Sequence, residues 1–120
     1  VRVLLDESAP RGIGKFLKDH EVSTVQEEGW GATKNGALLR MAEDAGFEVM
    51  VTADSSIKYQ QNLKHRKLAL VVLPTNDLAK LRAVTFLIAE MVDRAEPYSY
   101  QAMDLSAVGP RKPKPRKFQQ

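Results

Sequence analysis

An α/β domain whose mostly parallel sheet is covered by helices on both faces is what this sequence predicts, on three observations. Short apolar runs rich in branched residues alternate with segments of helical periodicity. Two of those runs lead into carboxylates: Val1 to Leu5 into Asp6 and Glu7, and Phe47 to Thr52, through Ala53, into Asp54. A third, Leu68 to Leu73, is apolar at every position and is stopped by Pro74, the pattern of a strand buried on both faces.

The elements follow in order. Val1 to Leu5 is too short for a helix and is the first strand. Pro10 suits a first helical turn, with Ile13, Phe16 and Leu17 on one face up to about His20. Val22 to Val25 is a short second strand. After the Gly29-Trp30-Gly31 loop, Asn35 is a good N-cap for a helix carrying Leu38, Leu39, Ala42 and Ala45, with Gly46 as its stop. Phe47 to Thr52 is the third strand and is expected beside the first. Ser55 to Arg66 reads as a loop with a short helix, and Leu68 to Leu73 as the fourth strand. The last helix is expected from about Asp77 to Ala95, with Leu78, Leu81, Val84, Phe86, Leu87, Ile88, Met91 and Val92 forming a stripe wider than one sheet contact requires. That width fits a homodimer interface or a helix well buried in its own domain. Tyr98 to Leu105 is an edge strand or an arm across a partner. The expected organisation is therefore a domain over 1–95, an edge strand or arm over 96–108, and a tail over 109–120.

Charge separates body from tail. All 15 acidic residues precede Gly109 and five of the 18 basic residues follow it, leaving a body of −2 and a tail of +5. Pro110, Pro113 and Pro115 interrupt the basic residues of the tail, a composition that buries no apolar surface and is expected to stay disordered. Such an arm can add salt-dependent affinity for nucleic acid, or merely solubilise. The 120 residues, 43% of them hydrophobic, suffice for one core. Zero cysteines exclude disulfides and thiolate chemistry, and two isolated histidines, His20 and His65, argue against zinc. No apolar run approaches the ~20 residues of a membrane span, and the N-terminus has no secretion-signal pattern, so a cytoplasmic protein is expected.

Ligands of open parallel sheets sit outside the carboxyl ends of the strands, where the strand order reverses, so Asp6 and Asp54 can converge on one crevice. Converging carboxylates suit a hard divalent cation, which magnesium exemplifies: it binds through one or two carboxylates plus substrate phosphates. Asp6 ends an apolar strand and must meet solvent, a cation or a capping amide. Glu7 joins the crevice if the chain turns after Leu5. Asp54 can alternatively cap the segment beginning at Ser55 or Ser56, and capping leads over ligand contact for Asn35.

Leu4-Leu5-Asp6-Glu7, Lys34-Asn35-Gly36 followed by Leu38-Leu39, Val51-Thr52-Ala53-Asp54 and Tyr59-Gln60-Gln61-Asn62 together resemble the PIN-like family over roughly residues 1–95. The resemblance implies a three-layer α/β sandwich and a metal-dependent ribonuclease, commonly the toxin of a toxin–antitoxin pair. It further implies Mg²⁺ or Mn²⁺, an RNA substrate and a cognate antitoxin protein. On this reading Asp6 and Asp54 match the metal-binding acids and Glu7 a further catalytic acid. Asn35, Tyr59, Gln60, Gln61 and Asn62 are substrate-binding candidates. One departure stands out: the family's second-helix carboxylate is replaced by neutral Asn35 and Ala37. The site is thereby short of charge, suiting one metal better than a two-metal clamp, and a weakened or catalytically silent PIN-like binding module is an alternative. A receiver domain of a phosphorelay is another, since Asp6, Glu7, Asp54 and Thr75 resemble its acids, phosphoacceptor and hydroxyl. Asp54 is followed by Ser-Ser-Ile rather than a Met-Pro-type turn, however, and the Lys-Pro pairs lie only in the tail.

Overall fold

Strict alternation of side chains along three apolar strands divides the interior into two halves. In the computed structural model, which describes residues 1–57 and 66–104, Val3, Leu5, Val49, Val51, Ala69 and Val71 point to one side. Leu4, Met50, Leu70 and Val72 point to the other. The strands are β1 (Arg2–Leu5), β2 (Glu21–Thr24), β3 (Val49–Thr52), β4 (Ala69–Val72) and β5 (Tyr100–Ala102). They form one five-stranded sheet in the order β2-β1-β3-β4-β5. Every neighbouring pair is parallel, and Leu5 of β1 lies opposite Val51 of β3. The third strand thus lies beside the first, as expected. Both faces of β1, β3 and β4 are buried, which is why those strands read as unbroken apolar runs.

Helix α1 (Asn35–Asp44) covers one face through Leu38, Leu39 and Ala42. The opposite face is covered by a 3₁₀ helix (Arg11–Phe16) and by α2 (Leu78–Leu81) and α3 (Thr85–Asp93). Helices on both sides of a parallel sheet make an α/β architecture compatible with a three-layer sandwich.

α1 ends in a full Schellman arrangement. The Gly46 N–H donates to the Glu43 carbonyl at 3.0 Å and the Phe47 N–H to the Ala42 carbonyl at 3.0 Å. Gly46 sits at φ +90°, and a Cβ there would lie 2.9 Å from an Arg2 guanidinium nitrogen. That guanidinium donates to the Ala45 carbonyl and lies 4.4 Å from the centre of the Phe47 ring, placing a cation at the negative end of the helix. Gly46→Ala is expected to cost about 1–2 kcal/mol, checked by urea denaturation.

Three local expectations need correction. The first helix, expected from Pro10 to about His20, is a 3₁₀ helix ending at Phe16. Gly12 and Gly14 each weaken an α-helix by ~1 kcal/mol, and Gly12 lies so close beneath α2 that a Cβ would meet Leu78 Cδ2 at 2.5 Å. Leu17 leaves the helix at φ −116° and turns into the core, while Phe16 is 40% exposed rather than on the buried face. The last helix, expected to be continuous from Asp77 to Ala95, is broken by a 3₁₀ turn over Arg82–Val84. The β-branched pair Val84-Thr85 disfavours the helix there; Val84 departs to φ −122°, and the Thr85 hydroxyl donates to the Arg82 carbonyl at 3.3 Å. Leu81, Val84, Ile88 and Val92 face the sheet, whereas Phe86 is 66% exposed. The third correction concerns Asn35, which is not the N-cap. Lys34 holds that position, with no side-chain cap bond, and Asn35 is the first helical residue.

Candidate functional site

The carboxyl ends of β1 and β3 are tied together by hydroxyl groups. The Asp6 N–H donates to the Val51 carbonyl at 2.9 Å, keeping the residue after β1 paired to β3. The Thr52 side chain is 0% exposed, and its hydroxyl donates to Asp6 Oδ2 at 2.8 Å. The Thr52 hydroxyl oxygen in turn accepts the Asp54 N–H at 3.0 Å. Ser8 works in parallel: its hydroxyl donates to Asp6 Oδ2 at 2.9 Å and accepts the Ala53 N–H at 2.9 Å. Asp6 therefore holds its orientation through Oδ2, and among the described residues nothing donates to Oδ1.

Asp54, half-buried, is held through both oxygens. Its Oδ1 accepts the Ser56 hydroxyl at 2.6 Å and the Ser56 N–H at 3.0 Å, the local turn-capping bond of this residue type. Its Oδ2 accepts from Asn35 Nδ2 at 3.3 Å. The Ser56 hydroxyl bond does most to hold the Asp54 carboxyl below its ordinary pKa, with the Ser56 amide and Asn35 helping and burial opposing. A carboxyl with a depressed folded-state pKa contributes stability that is present above its unfolded pKa and lost as pH falls through the folded value. Asp54 is thus a carboxylate throughout the neutral range. Ser56→Ala is expected to raise the Asp54 pKa toward the ordinary value, read by NMR titration of the carboxyl carbon.

The predicted residues are distributed as follows. Asp6 and Asp54 lie at neighbouring strand ends, and Asn35 joins Asp54 from the start of α1. Glu7 turns toward the 26–32 loop, where Oε1 accepts the Ala32 N–H at 3.3 Å and Oε2 accepts from Gln26 Nε2 at 3.5 Å. That loop is steadied by Trp30, whose ring stands edge-on to Phe47 at 6.0 Å. Ala37 is exposed on the first turn of α1. Tyr59, Gln60, Gln61 and Asn62, like Lys58 and the basic tail, lie outside the described residues. Glu43 is occupied elsewhere, pairing with Arg66 at 3.2 Å and accepting the Leu68 N–H at 3.0 Å.

Ser8 and Thr52 are site residues that sequence reasoning missed. A hydroxyl inside a strand buried on both faces must find a partner, so Thr52 carried a signal: an acid two residues away and another at the end of the neighbouring strand.

Electrostatically the site combines two carboxylates with an uncapped helix start. No acid lies in the first turn of α1 and its N-cap supplies no acceptor, while Lys34 is exposed beside it. The N-terminal amides of α1 are therefore suited to an anion. A groove of about 310 Å³ bordered by Ser55, Pro74 and Tyr100 opens beyond Ala53 on the β4–β5 side. Among the described residues, no group of three or more His, Cys, Asp or Glu side chains is placed to hold a metal ion, and no helix is long and apolar enough to cross a membrane. Compared with protein-family models, characterised proteins and solved structures, the chain gives no significant match to any of them.

Proposed function

We propose that this chain is a metal-dependent endoribonuclease of PIN-like type, a cytoplasmic toxin held in check by an antitoxin protein. The observation that carries the proposal is the placement of Asp6 and Asp54 at the carboxyl ends of adjacent strands β1 and β3. In the order β2-β1-β3-β4-β5 the strand order reverses between those two parallel strands, the place where open α/β sheets bind ligands.

The donor set fits a hard cation. Every group at the two strand ends offers oxygen, and two carboxylates with substrate phosphates meet the needs of Mg²⁺ or Mn²⁺. Asp6 would bind through Oδ1, leaving Oδ2 to the Ser8 and Thr52 hydroxyls, and Asp54 would bind from across the crevice. Such a cation would polarise a phosphate oxygen and lower the pKa of a bound water. The chain's own residues do the rest. Asn35 keeps Asp54 aligned, the start of α1 and Lys34 receive the RNA phosphate, and Glu7 at the rim of the crevice holds a water by accepting its hydrogen bond. Two acids support one cation rather than a pair, because neutral Asn35 and Ala37 add no charge. The face of α3 bearing exposed Phe86 is where a homodimer would form.

One observation favours a second reading, a phosphoacceptor domain of receiver type: the strand order is also that of this class. Asp54 would be the acceptor. Against it, β5 is followed by Met103 and Asp104 rather than a lysine, and the Thr75 hydroxyl is turned back to accept the Asp77 N–H at 3.1 Å.

The experiment is incubation of the protein with a mixed RNA pool and Mn²⁺, with cuts mapped by sequencing, beside Asp6→Asn and Ala37→Glu. Cleavage by the parent that Asp6→Asn removes is expected, and Ala37→Glu should raise it by supplying an oxygen ligand at the first turn of α1. Cleavage that survives Asp6→Asn would place the site elsewhere. Absence of cleavage together with stable phosphorylation of Asp54 by a small phosphodonor would favour the second reading.

A further inference from the structure

Beside the crevice, on the β2 side of the sheet, runs a groove of about 450 Å³ between the 3₁₀ helix and the edge strand β2. Its lining includes the apolar surfaces of Leu5, Gly14 and Val22 and the cationic side chains of Arg11 and Lys15. Both cations are exposed, and among the described residues neither forms an ion pair. Glu27 also borders the groove, but its carboxylate is engaged locally, accepting the Thr24 N–H at 2.8 Å. The groove leads directly to the candidate site. Leu5 is the residue before Asp6, and Gln26, on the groove, reaches Glu7 at 3.5 Å.

We propose that this groove is a binding track for the backbone of single-stranded RNA, with Arg11 and Lys15 contacting successive phosphates and half-buried Val22 meeting the sugar. The proposal rests on the nuclease reading for its substrate class and adds the direction in which the strand leaves the acids. Arg11 and Lys15 are four residues apart on a 3₁₀ helix, roughly 8 Å along its axis at ~2 Å per residue, a spacing at which each can hold its own phosphate along one strand. A basic groove that tracks the backbone holds single strands without reading sequence, and with no aromatic side chain among its described lining residues the hold here is on the phosphates. The Asp6–Asp54 pair repels phosphate unless a cation intervenes, so a cationic wall next to it offsets that repulsion and gives the strand a hold on the side away from α1.

The test is fluorescence anisotropy of the full chain with a 5′-labelled mixed-sequence oligoribonucleotide in EDTA, which separates binding from any metal chemistry. Arg11→Glu with Lys15→Glu is compared with a charge-matched control, Lys18→Glu with Arg40→Glu, both exposed and off the groove. The groove variant should weaken binding about 10-fold or more, and the slope of log K against log salt should fall by about 1.4 for two lost phosphate contacts. The control should stay within about twofold, and thermal melting should show both variants folded. Equal loss in the two variants, no loss in either, absence of RNA binding by the parent, or equally effective displacement by polyglutamate would overturn the proposal. If Asp6→Asn leaves cleavage unchanged while the groove variant alone loses RNA binding, the assignment of the acids fails and the track stands.

Discussion

Thr52→Val should destabilise the fold by about 2–3 kcal/mol, more than any other near-isosteric change in the site. The valine fills the same volume, so the loss is of hydrogen bonding alone. The Thr52 hydroxyl donates to the Asp6 carboxylate at 2.8 Å and accepts the Asp54 amide at 3.0 Å, and both partners lose it together. Hydrogen bonds to charged groups contribute about 1.5–3 kcal/mol, and leaving a buried partner unsatisfied costs a further share. Ser8 cannot replace it, being already committed to Asp6 and to the Ala53 amide. The measurement is urea denaturation; in a domain of this size each kcal/mol is worth roughly 4–8 °C of melting temperature. Thr52→Ser keeps the hydroxyl and should recover most of the loss, apart from the missing methyl group at a fully buried position.

Asp54→Asn carries the largest expected effect on activity. Its carboxylate is poised by Ser56 and Asn35 to remain charged, and the amide has neither the charge nor the second equivalent oxygen that a divalent cation needs. Cleavage of RNA should fall by on the order of 10³-fold, the equivalent of several kcal/mol of lost charge stabilisation. Single-turnover kinetics at saturating Mn²⁺ measures it. Folding should lose about 1 kcal/mol, because Asn can still accept from Ser56 but turns an amide nitrogen toward the Asn35 amide, so a loss of activity far larger than the loss of stability distinguishes a site acid from a structural one.

The order of elements and the two aspartates were legible in the sequence for the same reason. β1, β3 and β4 lie in the middle of the sheet with both faces buried, so each leaves an unmistakable apolar run, and a charge at the end of such a run has few places to go. What escaped was decided partly by contacts and partly by weak local signals. Asn35 reads as an N-cap from composition, yet its amide reaches Asp54 across 19 residues, which only the packing of α1 beside β3 determines. The break before α3 turned on two β-branched residues, Val84 and Thr85, set in an otherwise helical stripe. The shortening of the first helix had a local signature in Gly12 and Gly14, whereas the close approach of Gly12 to Leu78 is a tertiary distance. Ser8 and Thr52 were overlooked because a hydroxyl near an acid is common in any chain. Their importance comes from the parallel register that sets Leu5 opposite Val51 and so brings the residues after β1 and β3 together.

The central claim is that Asp6 and Asp54 jointly hold one divalent cation, and titration with Mn²⁺ followed by electron paramagnetic resonance tests it most directly. The parent should bind one Mn²⁺ per chain, with binding lost in Asp6→Asn and in Asp54→Asn and retained in Glu43→Gln, whose carboxylate is committed to Arg66 and Leu68. Binding that persists at one ion per chain in both aspartate variants would contradict the claim.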